Sequence, residues 1–381
     1  MSVSKIKIAF LKYGGLSAGG TEKYLQTLAA HLPKEDFEID YYYTDATKLI
    51  GTPWVHPDTD EFRRQYMIDN KINLIKVSCE ARDYRFGPPY DWINTNFFEI
   101  FDENKYDFLQ TGRSGFREYP FYKLDKIKIV DSIHSQGAEG TYDKENIVKT
   151  VLISELQFKN WTKNGGNSSK VQVIPTLVET PSHPPSSLRT KLNIPEKALV
   201  FGMHQGNRTD IFSRIPLDSY NRFRESLSSE DSKNVFYILL GGTHLHREQA
   251  VKLNLKNIIF LDFNADVSYI HDFISSIDVF AHGRADGEVC SAAIIEALSQ
   301  GKPVVTHPAQ NNGHLEQIDG CGVVANSAEE YAEALRNLFH NHAFRRELSL
   351  RAKNKYTTAY SLDTCVEAYI NIYKKLYDNL P

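Results

Sequence analysis

Short apolar runs separated by helix-length segments recur along almost the whole chain, and that alternation narrows the fold more than any other feature. KIKIAFLK (5–12) reads as a strand, followed by a Gly-rich loop and a helix over TEKYLQTLAAHL (21–32). FEIDYYY (37–43), INLIKV (72–77), YDFLQT (106–111), KIKIVDSI (126–133), TVLIS (150–154) and KVQVIP (170–175) read as further strands. Beyond the Pro- and Ser-rich TPSHPPSS (180–187), strands resume at ALVFGM (198–203), NVFYILLGG (234–242), NIIFLDF (257–263), DVFAH (278–282), KPVVTH (302–307) and GVV (322–324). Apolar strands joined by helices of roughly ten residues or more make βαβ units and a parallel sheet. The fold class is therefore α/β. One run on each side of a Pro-rich linker predicts two doubly wound, Rossmann-like domains, residues 1–180 and 181–361. Such domains bind ligands at the carboxyl ends of their strands, so two that face each other make a central cleft.

Composition excludes several classes of function. Hydrophobic residues make up 41% of the chain and charged residues 24%, ordinary values for a globular protein. The net charge of −4 is mixed along both halves, which leaves no basic stripe for nucleic acid. The opening MSVSKIKIAFLKYGG leads directly into a strand and lacks the apolar region of a signal peptide. No apolar run approaches the roughly 20 residues that span a bilayer. Cys79, Cys290, Cys321 and Cys365 are scattered, with no CxxC pair and no His at metal spacing. The expectation is a reduced, cytoplasmic setting and no metal site.

The segment DGEVCSAAIIEALSQGKPVV (286–305) carries the most chemistry. Gly301 and Pro303 supply a helix stop, so the helix begins near Cys290 or Ser291 and Glu288 lies in the loop before it. Helix N-termini present unsatisfied N–H groups, a seat for an anion. Glu288 reads either as a solvated loop acid or as a site residue. Glu296 sits among Ala292, Ala293, Ile294, Ile295, Ala297 and Leu298, where a carboxylate needs a partner or a ligand. A structural ion pair is the bland alternative.

Gly14, Gly15, Gly19 and Gly20 follow the first strand, but GGLSAGG holds no Gly-x-Gly-x-x-Gly, so an NAD site is not indicated. The glycines make either a tight turn or a loop whose backbone approaches a ligand. His134 follows a strand and reads as a structural histidine or a cleft residue. His204, His282 and His307 also follow strands, and none stands at metal spacing to another. Tyr84, Phe86, Tyr90, Trp92, Phe97, Phe98 and Phe101 predict the core of an insertion within Cys79–Tyr122, with an acceptor or membrane-surface contact as the alternative.

With these residues in place, the carboxy-terminal half resembles the retaining nucleotide-sugar glycosyltransferases of family 4, which have the GT-B fold. The family carries two glutamates separated by seven residues and a helix end of the form Ala-x-x-x-Gly-x-Pro-Val-Val, matched here by Glu288, Glu296, Ala297, Gly301, Pro303, Val304 and Val305. Further similarity lies in GGLSAGGTEKYLQTLAAHL, IVDSIHSQG, NNGHLEQI and the final YSLDTCVEAYINIYKKLYDNL. The resemblance implies that Glu288 contacts the donor sugar, Glu296 holds the ribose diol, and backbone N–H groups near Cys290 and Ser291 meet the diphosphate. Val289, Cys290 and Ser291 stand where the family has Phe or Gly-Phe-Gly. Arg208 fits the first of two cations that clamp the diphosphate, and Arg214 stands near the place of the second, usually Lys.

His134 becomes a cleft residue, Gly15 and Gly20 part of a loop that approaches the donor phosphates or the acceptor, and 362–381 a helix returning to the first domain. The implied activity is metal-independent, retaining transfer from a nucleotide-diphosphate sugar to a glycan, lipid-linked or other hydroxyl acceptor. It needs no cofactor, since the nucleotide sugar is a substrate, and it leaves room for a peripheral contact at the cytoplasmic membrane face. The alternatives are a catalytically silent nucleotide-sugar-binding subunit and a GT-B sugar-nucleotide epimerase.

Overall fold

The computed structural model describes residues 4–380 except 13, 18, 46–48, 51–57, 83–91, 114, 135–139, 182 and 183. It divides into two units, Met1–Leu177 together with Cys365–Pro381, and Val178–Thr364.

The first unit is built on seven strands: β1 (Ile6–Lys12), β2 (Phe37–Thr44), β3 (Asn73–Val77), β4 (Phe108–Arg113), β5 (Lys128–Ile133), β6 (Ile147–Leu152) and β7 (Val171–Val173). They lie in the order β7-β6-β5-β4-β1-β2-β3, every neighbouring pair parallel. The second unit has β8 (Leu199–Gln205), β9 (Val235–Gly241), β10 (Ile258–Leu261), β11 (Val279–Ala281), β12 (Val304–Thr306) and β13 (Gly322–Val324). Their order is β10-β9-β8-β11-β12-β13, again all parallel. In both sheets the chain winds outward, then returns to the centre and winds the other way. The direction reverses between β1 and β4 and between β8 and β11, the places where doubly wound sheets take ligands.

The strands are apolar on both faces because helices cover both faces. In the second unit Phe201, Ile238, Phe280, Ile295, Val305 and Leu335 are buried in one core. In the first unit the aromatic stretch departs from the expected insertion. Phe97 and Phe101 are buried in the main core with Tyr42, Leu109 and Ile129. Phe97 and Phe101 stack at 4.7 Å, and Phe101 stacks on Tyr106 at 5.6 Å. Burial beneath the sheet gives these rings more than a separate lobe would, since each removes a large apolar area from water. Of the described rings in that stretch, Phe98 stays 47% exposed. Tyr84, Phe86 and Tyr90 lie outside the described residues, as does the side chain of Trp92.

The last helix, Leu362–Tyr377, buries Cys365, Val366, Tyr369, Ile372 and Tyr373. Tyr373 donates to Gln110 Oε1 on β4 at 2.6 Å, and the Tyr369 and Tyr24 hydroxyls lie 2.9 Å apart. Each buried phenol therefore has a partner, as burial requires. At the end of β4, Arg113 Nη2 stands 2.6 Å from Asp131 Oδ2 on β5, both side chains almost wholly buried. No helix among the described residues is long and apolar enough to cross a membrane.

Candidate functional site

The second unit places its chemistry at the reversal between β8 and β11. The chain leaves β11 at His282, passes Gly283 and Arg284, and reaches Glu288 in a two-residue pairing, Gly287–Glu288 with Asn311–Asn312. Gly287 has φ +68°, and a Cβ there would lie 1.9 Å from the Asn311 carbonyl oxygen. Only glycine fits, because other residues resist this conformation by roughly 1–2 kcal/mol even before the clash. Gly287→Ala is therefore expected to destabilise the protein by about 2 kcal/mol or more. Urea denaturation measures this, and an unchanged midpoint would mean that the turn tolerates a side chain.

Glu288 is not a solvated loop acid. His282 Nε2 lies 2.9 Å from its Oε2 and Arg284 Nη1 lies 3.3 Å from its Oε1. Arg284 also grips Asp286 with two bonds, Nε–Oδ1 at 3.0 Å and Nη2–Oδ2 at 2.8 Å. Burial alone would push the Glu288 carboxyl up. The His282 hydrogen bond and charge, the Arg284 charge and the Ser291 hydroxyl outweigh it and hold the group at about 2. Glu288 is thus a fixed anion at neutral pH. Behind it, the His282 Nδ1 meets Thr306 Oγ1 at 2.7 Å, which fixes the ring. His314 accepts from the Glu288 N–H at Nδ1, 3.4 Å, and donates from Nε2 to the His307 carbonyl at 3.1 Å.

The helix Ala292–Ser299 starts where the sequence reading put it, with Ser291 as N-cap, its hydroxyl accepting from the Ile294 N–H. The resemblance has amides near Cys290 and Ser291 meet the diphosphate. The Ser291 N–H already donates to Gln317 Oε1 at 2.7 Å, and Gln317 Nε2 returns a bond to the Ser291 carbonyl at 3.0 Å. A buried amide with a satisfied bond is not a free donor for a diphosphate. Val289 is buried, and Gly313 approaches its backbone so closely that a Cβ there would meet the Val289 carbonyl oxygen at 1.9 Å.

Glu296, one and a half turns into the helix, meets His204 at the end of β8, Nε2 to Oε2 at 2.7 Å. Neither atom makes a hydrogen bond with any described residue. Arg208 is exposed and bonded to Asp210, Nε to Oδ1 at 3.0 Å. Arg214, also exposed, stands 3.6 Å from Asp218 and lines a small cavity with Phe212, Leu245, Gln249 and Lys252.

In the first unit, Gly15 is buried and its carbonyl accepts from the Ser17 N–H at 2.7 Å, while Gly20 opens the helix Gly20–His31. His134 packs edge-on against Tyr24 at 4.4 Å. Its Nε2 lies 3.1 Å from the Ser132 hydroxyl, whose hydrogen is already donated to the Thr111 carbonyl. The ring must therefore donate from Nε2 and keep Nδ1 as an acceptor. Burial, with the Lys12 charge, pushes it down to about 3, so it is neutral at pH 7. Among the described residues no group of three or more His, Cys, Asp or Glu is placed to hold a metal ion.

Sequence reading gave His204, His282 and Arg284 no role, yet they are the partners of the two glutamates. Only HGRADGE, with a histidine and an arginine just ahead of the acid, carried a local signal.

Residues 220–355 match the family of glycosyl transferases group 1. That segment holds Glu288 and Glu296 and leaves out His204, Arg208 and Arg214. None of the curated proteins matches the sequence. Among solved structures, Alr3699/HepE of Anabaena in complex with UDP and glucose covers 97% of this chain and 99% of its own, at 16% identity and TM-score 0.69. A glycosyltransferase from Rickettsia africae ESF-5 covers 99% and 100%, at 14% identity and TM-score 0.71. Sucrose-phosphate synthase from Thermosynechococcus elongatus covers 99% and 100%, at 15% identity and TM-score 0.67. The chain has the GT-B fold of these glycosyltransferases, two Rossmann-like units each built on a parallel sheet.

Proposed function

We propose that this chain is a retaining, metal-independent glycosyltransferase that moves a sugar from a nucleoside-diphosphate donor to a hydroxyl acceptor. The observation that carries the reading is Glu288, a half-buried carboxylate held ionised at the reversal of the second sheet, inside the segment that matches the glycosyl transferases group 1 family. Glu288 contacts the sugar hydroxyls and Glu296 the ribose. In the reaction the bond from the anomeric carbon to the diphosphate oxygen breaks, that oxygen keeps the electron pair, and the acceptor hydroxyl oxygen bonds to the anomeric carbon as its proton passes to the departing diphosphate. Negative charge grows on the diphosphate, and Arg208 and Arg214 are our candidates to meet it. Both are now in exposed ion pairs worth about 0–1 kcal/mol, so a dianion can draw either guanidinium away at small cost.

His134, neutral and with an acceptor nitrogen, is assigned to a sugar hydroxyl, and the loop of Gly15 and Gly20 to the phosphates or the acceptor. The acceptor is a glycan, lipid-linked or other hydroxyl. The Anabaena protein was also solved with UDP-glucose, which supports a nucleotide sugar as donor. None of the four cysteines is in a disulfide, in keeping with a cytoplasmic setting.

A thermal-shift panel of UDP-, GDP-, ADP- and dTDP-sugars tests the reading on wild type and Glu296→Ala. A ligand at a hundred times its dissociation constant stabilises by about 2.7 kcal/mol. One nucleotide class is expected to stabilise the wild type and to lose that effect in the variant. No shift by any sugar nucleotide, in folded protein, would sink the proposal. A second reading, a donor-binding subunit without turnover, is favoured by the Ser291 N–H being taken by Gln317. Slow hydrolysis of a bound donor would exclude it, and an altered sugar nucleotide formed without acceptor would identify an epimerase instead.

A further inference from the structure

We propose that His204 is a positioning residue that presents Glu296 to the ribose of the nucleotide, an inference that rests on the function proposed above. The two side chains come from different parts of the chain, His204 from the end of β8 and Glu296 from the helix after β11. They meet because β8 and β11 are neighbours, with Phe201 opposite Val279 and Gly202 opposite Phe280. His204 Nε2 and Glu296 Oε2 lie 2.7 Å apart, and each atom is buried. Yet neither makes a hydrogen bond with a described residue. Buried polar atoms in that condition are rare in folded proteins and call for a reason.

The surroundings supply one. The imidazole is flanked edge-on by Phe273 at 6.0 Å and Phe280 at 5.8 Å, so the ring is walled in by two aromatic faces. Glu296 lines a narrow crevice whose walls mix apolar Pro181, Val267, Ile270 and Ile274 with polar Thr180, His271, Ser299 and Gln300. None of them makes a hydrogen bond with Glu296 Oε2. About 15% of the Glu296 side chain is exposed, and Oε2 contributes almost nothing to it. The carboxylate thus leans on a fixed ring with one oxygen while the rest of the side chain faces the crevice. A vicinal diol can donate to a carboxylate so held, and each of its hydroxyls both donates and accepts. A residue held in place by a second one loses less freedom on binding, which raises affinity. His204 acts on the ribose only through Glu296.

The test separates this role from a structural one. UDP, GDP and ADP, each paired with its 2′,3′-dideoxy counterpart, are titrated calorimetrically into wild type, His204→Phe, His204→Gln and Glu296→Gln, with folding checked by circular dichroism. Wild type is expected to bind the ribose form of at least one nucleotide on the order of tenfold more tightly than its dideoxy form. His204→Phe should shrink that ratio towards one while leaving the dideoxy affinity unchanged. His204→Gln, which keeps a polar side chain against the carboxylate, should recover part of it. In the Glu296→Gln background, His204→Phe should have no further effect on the ratio, the mark of two residues acting as one. If wild type discriminates but His204→Phe weakens both forms equally, or leaves the ratio intact, the inference fails and the proposed function stands. If wild type binds none of the nucleotides, or binds both forms alike, the ribose role of Glu296 fails and the inference falls with it.

Discussion

Glu288→Gln is expected to lower the turnover of sugar transfer on the order of a hundredfold or more, with a smaller change in donor affinity. The substitution keeps the size of the side chain and removes its charge. His282 and Arg284, aligned on that charge at 2.9 and 3.3 Å, lose the anion they were built around. An anion fixed beside the sugar helps most when the sugar carries partial positive charge, so the loss should fall on turnover. Near-normal turnover would remove Glu288 from the chemistry.

The same variant has a signature in stability. The Glu288 carboxyl is held at about 2 against an ordinary 4.5. That difference corresponds to roughly 3 kcal/mol in favour of the folded state. Because the folded group is the stronger acid, the contribution is whole above about pH 5 and fades as the pH falls through the interval down to about 2. Chemical denaturation of wild type and Glu288→Gln across that interval should converge towards low pH. A constant gap between the two curves would mean that the clamp does not hold the charge.

Arg113→Met is expected to destabilise the first unit by about 3–5 kcal/mol near pH 8. Arg113 and Asp131 form a buried pair at 2.6 Å, and removing the cation strands a carboxylate with Glu118 close by. Burial pushes the Asp131 carboxyl up to about 6 even though Arg113 pulls it down. Without Arg113 it rises further. A group whose folded value is raised stabilises at low pH and loses that contribution as the pH climbs. The deficit of Arg113→Met should therefore shrink at pH 5, where Asp131 takes a proton, and the double variant Arg113→Met/Asp131→Leu should recover most of the loss. Urea midpoints at the two pH values measure both effects. An equal deficit at pH 5 and pH 8 would contradict this account.

The strands were legible because parallel strands covered on both faces must be continuously apolar, and runs such as LVFGM and VFYILL carry that signature without help from distant residues. The helix after Glu288 was legible for a local reason too, since Gly301 and Pro303 end it and Ser291 caps it. The partners of the glutamates were not. His204 lies far along the chain from Glu296, and only the placing of β8 beside β11 joins them. The bond from the Ser291 N–H to Gln317 crosses from one helix to another, so an amide that looked open in the sequence is taken in the fold. Phe97 and Phe101 misled for a related reason. A dense aromatic run reads alike whether it builds its own lobe or fills an existing core, and the choice rests on Tyr42 and Leu109, which belong to other strands.

The helix Leu362–Tyr377 also bears on how the protein is made. Tyr369 and Tyr373 belong to the interior of the unit that begins the chain, where Tyr373 satisfies Gln110 and Tyr369 meets Tyr24. Domains usually fold in order as they leave the ribosome. Here the contacts of Tyr373 with Phe37 and Phe108 can form only after the whole of the second unit and the helix after it have been translated. A helix synthesised after the second unit is the one that closes the first.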